Sequence, residues 1–122
     1  MTKIVYNKGY SEFNLSNKAV ERYFELKGWE LNVINEYGRD YYIVKHTGEY
    51  WFAHNLERDD PILVRVVEEL IDEANYRDSS SGTTDLAIRE LPVGTKYIIM
   101  ARDAYDREKI VTQDEFVWRI AR

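Results

Sequence analysis

From Arg58 to Asn75, RDDPILVRVVEELIDEAN, apolar residues recur with helical spacing. Leu63, Val66, Val67, Leu70, Ile71 and Ala74 fall at i, i+3, i+4, i+7, i+8 and i+11, one continuous face, with Arg65, Glu68, Glu69, Asp72 and Glu73 off it. Asp60 stands at the N-cap, and Pro61 takes the first helical position, where a missing N–H costs nothing. The pattern predicts a helix over 61–75. A second helical stretch runs over 16–27, with Ser16 as N-cap and Leu15 and Val20 spaced as a hydrophobic staple. Val20, Tyr23, Phe24 and Lys27 mark its face, and Gly28 supplies the stop.

Elsewhere the period is that of strands. Lys3 to Tyr6 is β-like, and NKGYSEF after it reads as a loop carrying Tyr10 and Phe13. Trp29, Leu31 and Val33 alternate with polar neighbours, residues 35–40 read as a turn, 41–45 as a strand, 46–49 as a turn and 50–53 as a third strand. That order predicts an antiparallel meander. Beyond the central helix, residues 76–85 (YRDSSSGTTD) read as a mobile surface loop. Strand patterns resume at Leu86 and Ile88, over 96–102 and over 109–111. Thr112-x-x-Glu115 has the form of a capping box, so residues 113–122 are either a short last helix or a strand. The expected architecture is a single α+β domain over 1–122, a mostly antiparallel sheet of about five to seven short strands against two main helices.

Composition narrows the functional classes. The chain has 122 residues, no cysteine, and ten tyrosines, a residue suited to half-exposed sheets and binding surfaces. Without cysteine there is neither a disulfide nor a thiolate nucleophile, and the usual zinc sites are excluded. No signal-peptide core is visible, and no run approaches the roughly 18 apolar residues that span a membrane. A cytoplasmic protein without a membrane partner is expected. Between Glu57 and Asp78, eight acids (Glu57, Asp59, Asp60, Glu68, Glu69, Asp72, Glu73, Asp78) face three bases (Arg58, Arg65, Arg77), so this segment holds the whole net charge of −5. No basic stripe exists to neutralise a phosphate backbone, which argues against duplex nucleic acid.

Catalytic chemistry has little to work with. His46 and His54 are the only histidines and have no metal-ligand spacing, and no nucleophile elbow or phosphate-loop motif occurs. Asp59 and Asp60 fit a helix start better than a metal cluster. No catalytic residue, metal or cofactor is therefore assigned. A ligand site would instead combine aromatic rings for stacking with arginines and hydroxyls for anions. The candidates are Tyr10, Phe13, Ser16, Arg58, Tyr105 and Arg107. The outward acids Glu68, Glu69, Asp72 and Glu73 are candidates for docking a basic partner.

Two stretches, KIVYNKGYSEFNLSNKAVERYFELKG and ERDDPILVRVVEELIDEAN, resemble a pattern of small uncharacterised bacteriophage proteins: a K-I-V-x-N start, an aromatic loop, and an acidic R-x-D-P-x-L-V-x-V-V-E-E-L helix. DLAIRELP resembles their next strand. The chain departs from that pattern in its inserted YRDSSSGTT and its AYDRE turn. The resemblance implies a phage or prophage source and the cytosol of an infected cell, and brings no activity with it. It favours a non-enzymatic accessory protein with an anti-defence role, which sequesters a small nucleotide signal in an aromatic and arginine pocket, with a homo-oligomer as one expected form. The alternatives are an inhibitor that occludes a basic host protein through the acidic helix, a small nucleotide-processing enzyme using a carboxylate or His54, and a structural phage component.

Overall fold

The computed structural model describes residues 1–78, 82–101 and 107–115. In chain order the elements are β1 (Thr2–Asn7), α1 (Asn17–Lys27), β2 (Leu31–Glu36), β3 (Arg39–Val44), β4 (Glu49–Trp51), a 3-10 turn (Ala53–Asn55), α2 (Pro61–Leu70), a second 3-10 turn (Ile71–Ala74), β5 (Arg77–Asp78), β6 (Gly82–Thr83), β7 (Leu86–Leu91), β8 (Tyr97–Ala101), β9 (Glu108–Thr112) and a third 3-10 turn (Gln113–Glu115). The fold is α+β, and every strand pairing among the described residues is antiparallel. The strands divide into four small ladders: β1–β7, β2–β3–β4, β5–β6 and β8–β9.

The strand β1 organises these parts because its two faces are both buried. Val5 enters the main core with both helices, while Ile4 joins Leu91 and Ile110 in a second cluster bordered by Tyr6, Tyr97 and Ile99. Successive side chains on a strand point to opposite faces. The β1–β7 ladder therefore has the helices on one side and the β8–β9 hairpin on the other. Its register pairs Ile4 with Arg89 and Tyr6 with Ala87, which puts Tyr6 and Arg89 on the hairpin side.

Both helices start as their sequences dictate. The Ser16 hydroxyl accepts from Ala19 N–H at 3.1 Å and donates to the Glu73 carbonyl at 2.6 Å, so one residue caps α1 and clamps it to the end of α2. Asp60 Oδ1 accepts from Ile62 and Leu63 N–H, and its Oδ2 accepts from the buried Tyr23 hydroxyl at 2.6 Å. At the far end of α1, Gly28 takes a left-handed φ of 72°, and its N–H and that of Trp29 close on the last carbonyls.

The end of α2 departs from its pattern. The α-helix stops at Leu70, not at 75, and Ile71 adopts φ 52° with its side chain 69% exposed. It does not share the apolar face. Tertiary contacts override the period here: Ser16 N–H donates to the Ala74 carbonyl at 2.9 Å, Leu15 bridges Asn75, and Ala74 is fully buried. The tighter 3-10 turn delivers Ala74 to that position and turns Ile71 out.

Boundaries shift in the meander as well. The predicted turn over 35–40 contracts to Tyr37-Gly38, both at positive φ, in a two-residue hairpin. Val33 is half exposed, although Leu31, Tyr42 and Val44 of the same hairpin pack in or on the core. The third strand ends at Trp51, and Ala53 begins a 3-10 turn. Within the predicted 76–85 loop, Arg77 pairs with Thr83, and the buried Thr84 hydroxyl accepts from Tyr76 N–H at 2.8 Å. Thr112 and Glu115 meet as a capping box does, Thr112 N–H donating to Oε2 at 3.3 Å; the helix-or-strand question over 116–122 lies outside the described residues.

Candidate functional site

The loop after β1 is shaped by Asn7, which is fully buried. Its Oδ1 accepts from Gly9 and Asp85 N–H at 2.8 and 2.9 Å, and its Nδ2 donates to the Ser11 carbonyl at 2.5 Å. An Asn side chain can satisfy its own turn in this way. Gly9 permits the close approach, since a Cβ there would lie 2.5 Å from the Thr83 carbonyl oxygen. The result is a fixed loop that holds Lys8 and Tyr10 at the surface while burying Phe13.

Phe13 and Arg58 come together, as part of a buried hub. The Arg58 guanidinium lies 3.6 Å from the Phe13 ring centroid and makes a forked ion pair with Glu108 at 2.6 and 2.8 Å. The pair is 16% and 12% exposed, and Glu108 Oε1 also accepts from Asn7 N–H at 2.7 Å. One N–H of each terminal nitrogen of the arginine fork is thus directed at Glu108. Arg58 is engaged by Glu108 and Phe13, and Ser16 caps α1.

Tyr10 and Arg107 also meet. Arg107 Nη1 donates to the Tyr10 hydroxyl at 2.5 Å, and the guanidinium sits 4.7 Å from the ring centroid. They line a cavity of about 580 Å³ with Tyr6, Lys8, Arg89 and Lys109. Among the described residues Asp85 and Glu108 are its only carboxylates, so the described wall carries four cations against two anions. Glu108 is already neutralised by Arg58, and Asp85 lies 3.9 Å from Lys8. Arg89 is held in place by the Ile110 carbonyl at 2.7 Å and by Glu115. Lys109 has no ion-pair partner among the described residues. In a protein of net charge −5 this is a locally positive, tyrosine-walled depression. Tyr105 lies outside the described residues.

Sequence reasoning did not find Tyr6, Lys8, Arg89 or Lys109. The signal was the alternation on β1 and β7, but only the pairing register reveals that Tyr6 and Arg89 share a face.

The candidate docking acids are largely engaged within the chain. Glu68 pairs with Lys3 at 2.7 Å, Glu69 with Arg22 and Arg65 at 2.8 and 3.0 Å, and Glu73 with Lys18. Hydrogen bonds from Arg22 and then Arg65 pull the Glu69 carboxyl down to about 2. Among the described residues Asp72 alone of the four makes no ion pair. His54 stacks on Phe52 at 5.3 Å. No group of three or more His, Cys, Asp or Glu among the described residues is arranged to hold a metal ion, and no helix among them is long and apolar enough to cross a membrane. Comparison with known proteins returns no match, whether to family models, to curated proteins or to solved structures.

Proposed function

We propose that the chain is a non-enzymatic binding protein that captures a small phosphorylated nucleotide in the Tyr6–Tyr10–Arg107 depression. The observation that carries this reading is the four-to-two excess of cations among the described residues in the wall of a tyrosine-lined cavity of about 580 Å³, in an otherwise acidic protein. Ligand cavities run from about 300 to 1,000 Å³, so the volume suits one nucleotide. Lys8, Lys109 and Arg107 supply charge for phosphate, and the tyrosine rings supply stacking surface for a base. Arg89, fixed by Glu115 and the Ile110 carbonyl, adds a cation whose position costs no further ordering on binding. The resemblance to phage proteins fits a role in sequestering a nucleotide signal inside an infected cell.

The acidic face of α2 offers less support for occlusion of a basic host protein. Three of its four acids would have to exchange an existing partner for a new one.

The test is isothermal titration with nucleoside mono-, di- and triphosphates at low and raised salt. Binding should strengthen with phosphate number and weaken as salt screens the charges. It should fall about tenfold in Arg107→Ala, the effect of losing roughly 1.4 kcal/mol of a charge-assisted contact. Binding unaltered by both salt and that substitution, or no binding to any phosphorylated nucleotide, would sink the proposal.

A further inference from the structure

A second cavity, of about 390 Å³, shares no lining residue with the basic depression. It lies where the β2–β3 hairpin approaches the start of α1 and the turn after β4. Among the described residues its wall holds two carboxylates, Glu12 and Asp40, and two guanidinium groups, Arg39 and Arg77. That balance gives no preference for an anion.

Its polar side is an ordered network. Asp40 accepts from Asn35 Nδ2 at 2.9 Å and from Asn17 Nδ2 at 3.1 Å, while the Tyr42 hydroxyl donates to Asn17 Oδ1. Each carboxamide carries two N–H donors and uses one of them on Asp40, so each keeps a second donor. Asn35 keeps its carbonyl acceptor as well. Donors and acceptors thus stand side by side, each in an orientation set by Asp40 or Tyr42.

The apolar side is equally fixed. Trp51 lies at the cavity wall and is braced from the core by Phe24 and Tyr23, at ring separations of 5.2 and 5.5 Å. Tyr42 meets Trp51 edge-on at 6.4 Å, and Phe52 adds a further ring at the rim. The base of the hairpin that brings Asn35 and Asp40 here packs on the core through Leu31, Tyr42 and Val44, while Val33 is 50% exposed and Tyr37, at the turn, 98%.

We infer that this cavity is a binding site for an uncharged planar heterocycle with hydrogen-bonding edges, the chemistry of a nucleobase or nucleoside, held between the aromatic wall and the Asn17–Asp40–Asn35 network. Aromatic faces accept any base by stacking, and paired amide donors and acceptors read its edge. The site is independent of the basic depression, because its ligand needs no phosphate.

Nitrogen–proton NMR with the four common nucleosides tests it. At least one nucleoside should shift the Asn17 and Asn35 side-chain amide signals together with the Trp51 indole, leaving the backbone signals of Lys109 and Arg107 unmoved. Asn35→Ala should weaken that binding about tenfold, for one hydrogen-bonding group lost, with the rest of the spectrum preserved. Phe52→Ala, at an exposed rim position, should weaken it without touching the amide network. The inference is overturned if no nucleoside moves these signals at millimolar concentration, or if the shifts appear around Tyr10 and Arg107 instead. Because nucleosides carry no phosphate, the absence of nucleoside binding here leaves capture of a phosphorylated ligand in the other cavity standing, whereas shifts at Tyr10 and Arg107 would assign the base to that cavity alone.

Discussion

Arg58 shows how one side chain can connect fold and site without touching a ligand. Its carbonyl accepts from Val5 N–H at 2.8 Å, its guanidinium covers Phe13, and its fork holds Glu108 at the edge of the basic depression. Truncating it would leave a largely buried carboxylate without its counter-charge, a defect that costs about 3–5 kcal/mol. Arg58→Ala is therefore expected to destabilise the chain by about that amount in urea denaturation. Arg58→Lys keeps the charge but loses the planar fork, so its loss should be smaller but clear. A change within about 0.5 kcal/mol in Arg58→Ala, the range of an ordinary surface substitution, would contradict the hub. In the sequence Arg58 stands out only as a candidate arginine for an anion site, beside Asp59 and Asp60. What fixes it, Glu108, lies fifty positions away and carries no local signal.

At the scale of elements, the sequence was most legible where a local device decides the structure. Asp60-Pro61 and Ser16 start the helices, Gly28 ends α1, and Thr112 and Glu115 meet as a capping box. It was least legible where distant contacts decide. The apolar period runs on through Ile71, yet the clamp between Ser16 and the 73–74 carbonyls breaks the helix one residue earlier and forces Ile71 to φ 52°. A β-branched residue there is strained, by roughly 1–3 kcal/mol. With its side chain already 69% exposed, Ile71→Gly loses little burial. That substitution is expected to stabilise the chain by about 1 kcal/mol in chemical denaturation, after the entropic cost of glycine is subtracted. Ile71→Ala should give no such gain, and a destabilised Ile71→Gly would show that the turn is unstrained. The meander teaches the same lesson. Alternation identified its strands, but it could not reveal that the β2–β3 hairpin extends past the core.

For the whole molecule, the concentration of acid on one helix has a consequence for pH. The Glu69 carboxyl is drawn down to about 2 by Arg22 and Arg65, and the Glu30 and Glu115 carboxyls are lowered by Lys45 and Arg89. Their folded values lie below the unfolded value of about 4.3, so the unfolded chain binds more protons in that window. Stability from these pairs is full above that range and is lost as pH falls toward 2. Thermal midpoints should be flat between neutral pH and about 5 and then drop, with Glu69→Gln lowering the plateau and shallowing the acid limb. An unchanged acid limb in that variant would show that the Arg22–Glu69–Arg65 network contributes nothing. The same pairing shows what the charge count from composition omitted: Glu68, Glu69 and Glu73 each already have a cationic partner within the chain.

The basic depression was half visible in the same way. Tyr10 and Arg107 stood out as an aromatic and an arginine in loops, whereas Lys8, Arg89 and Lys109 join them only through the β1–β7 register and the β9 edge. Native mass spectrometry of the chain with an equimolar set of nucleotides, compared with the Lys8→Glu, Lys109→Glu double variant, tests the central claim most directly. The account predicts a phosphorylated nucleotide retained by the original chain and lost from the folded variant. Equal retention by both, or none by the original chain, would contradict it.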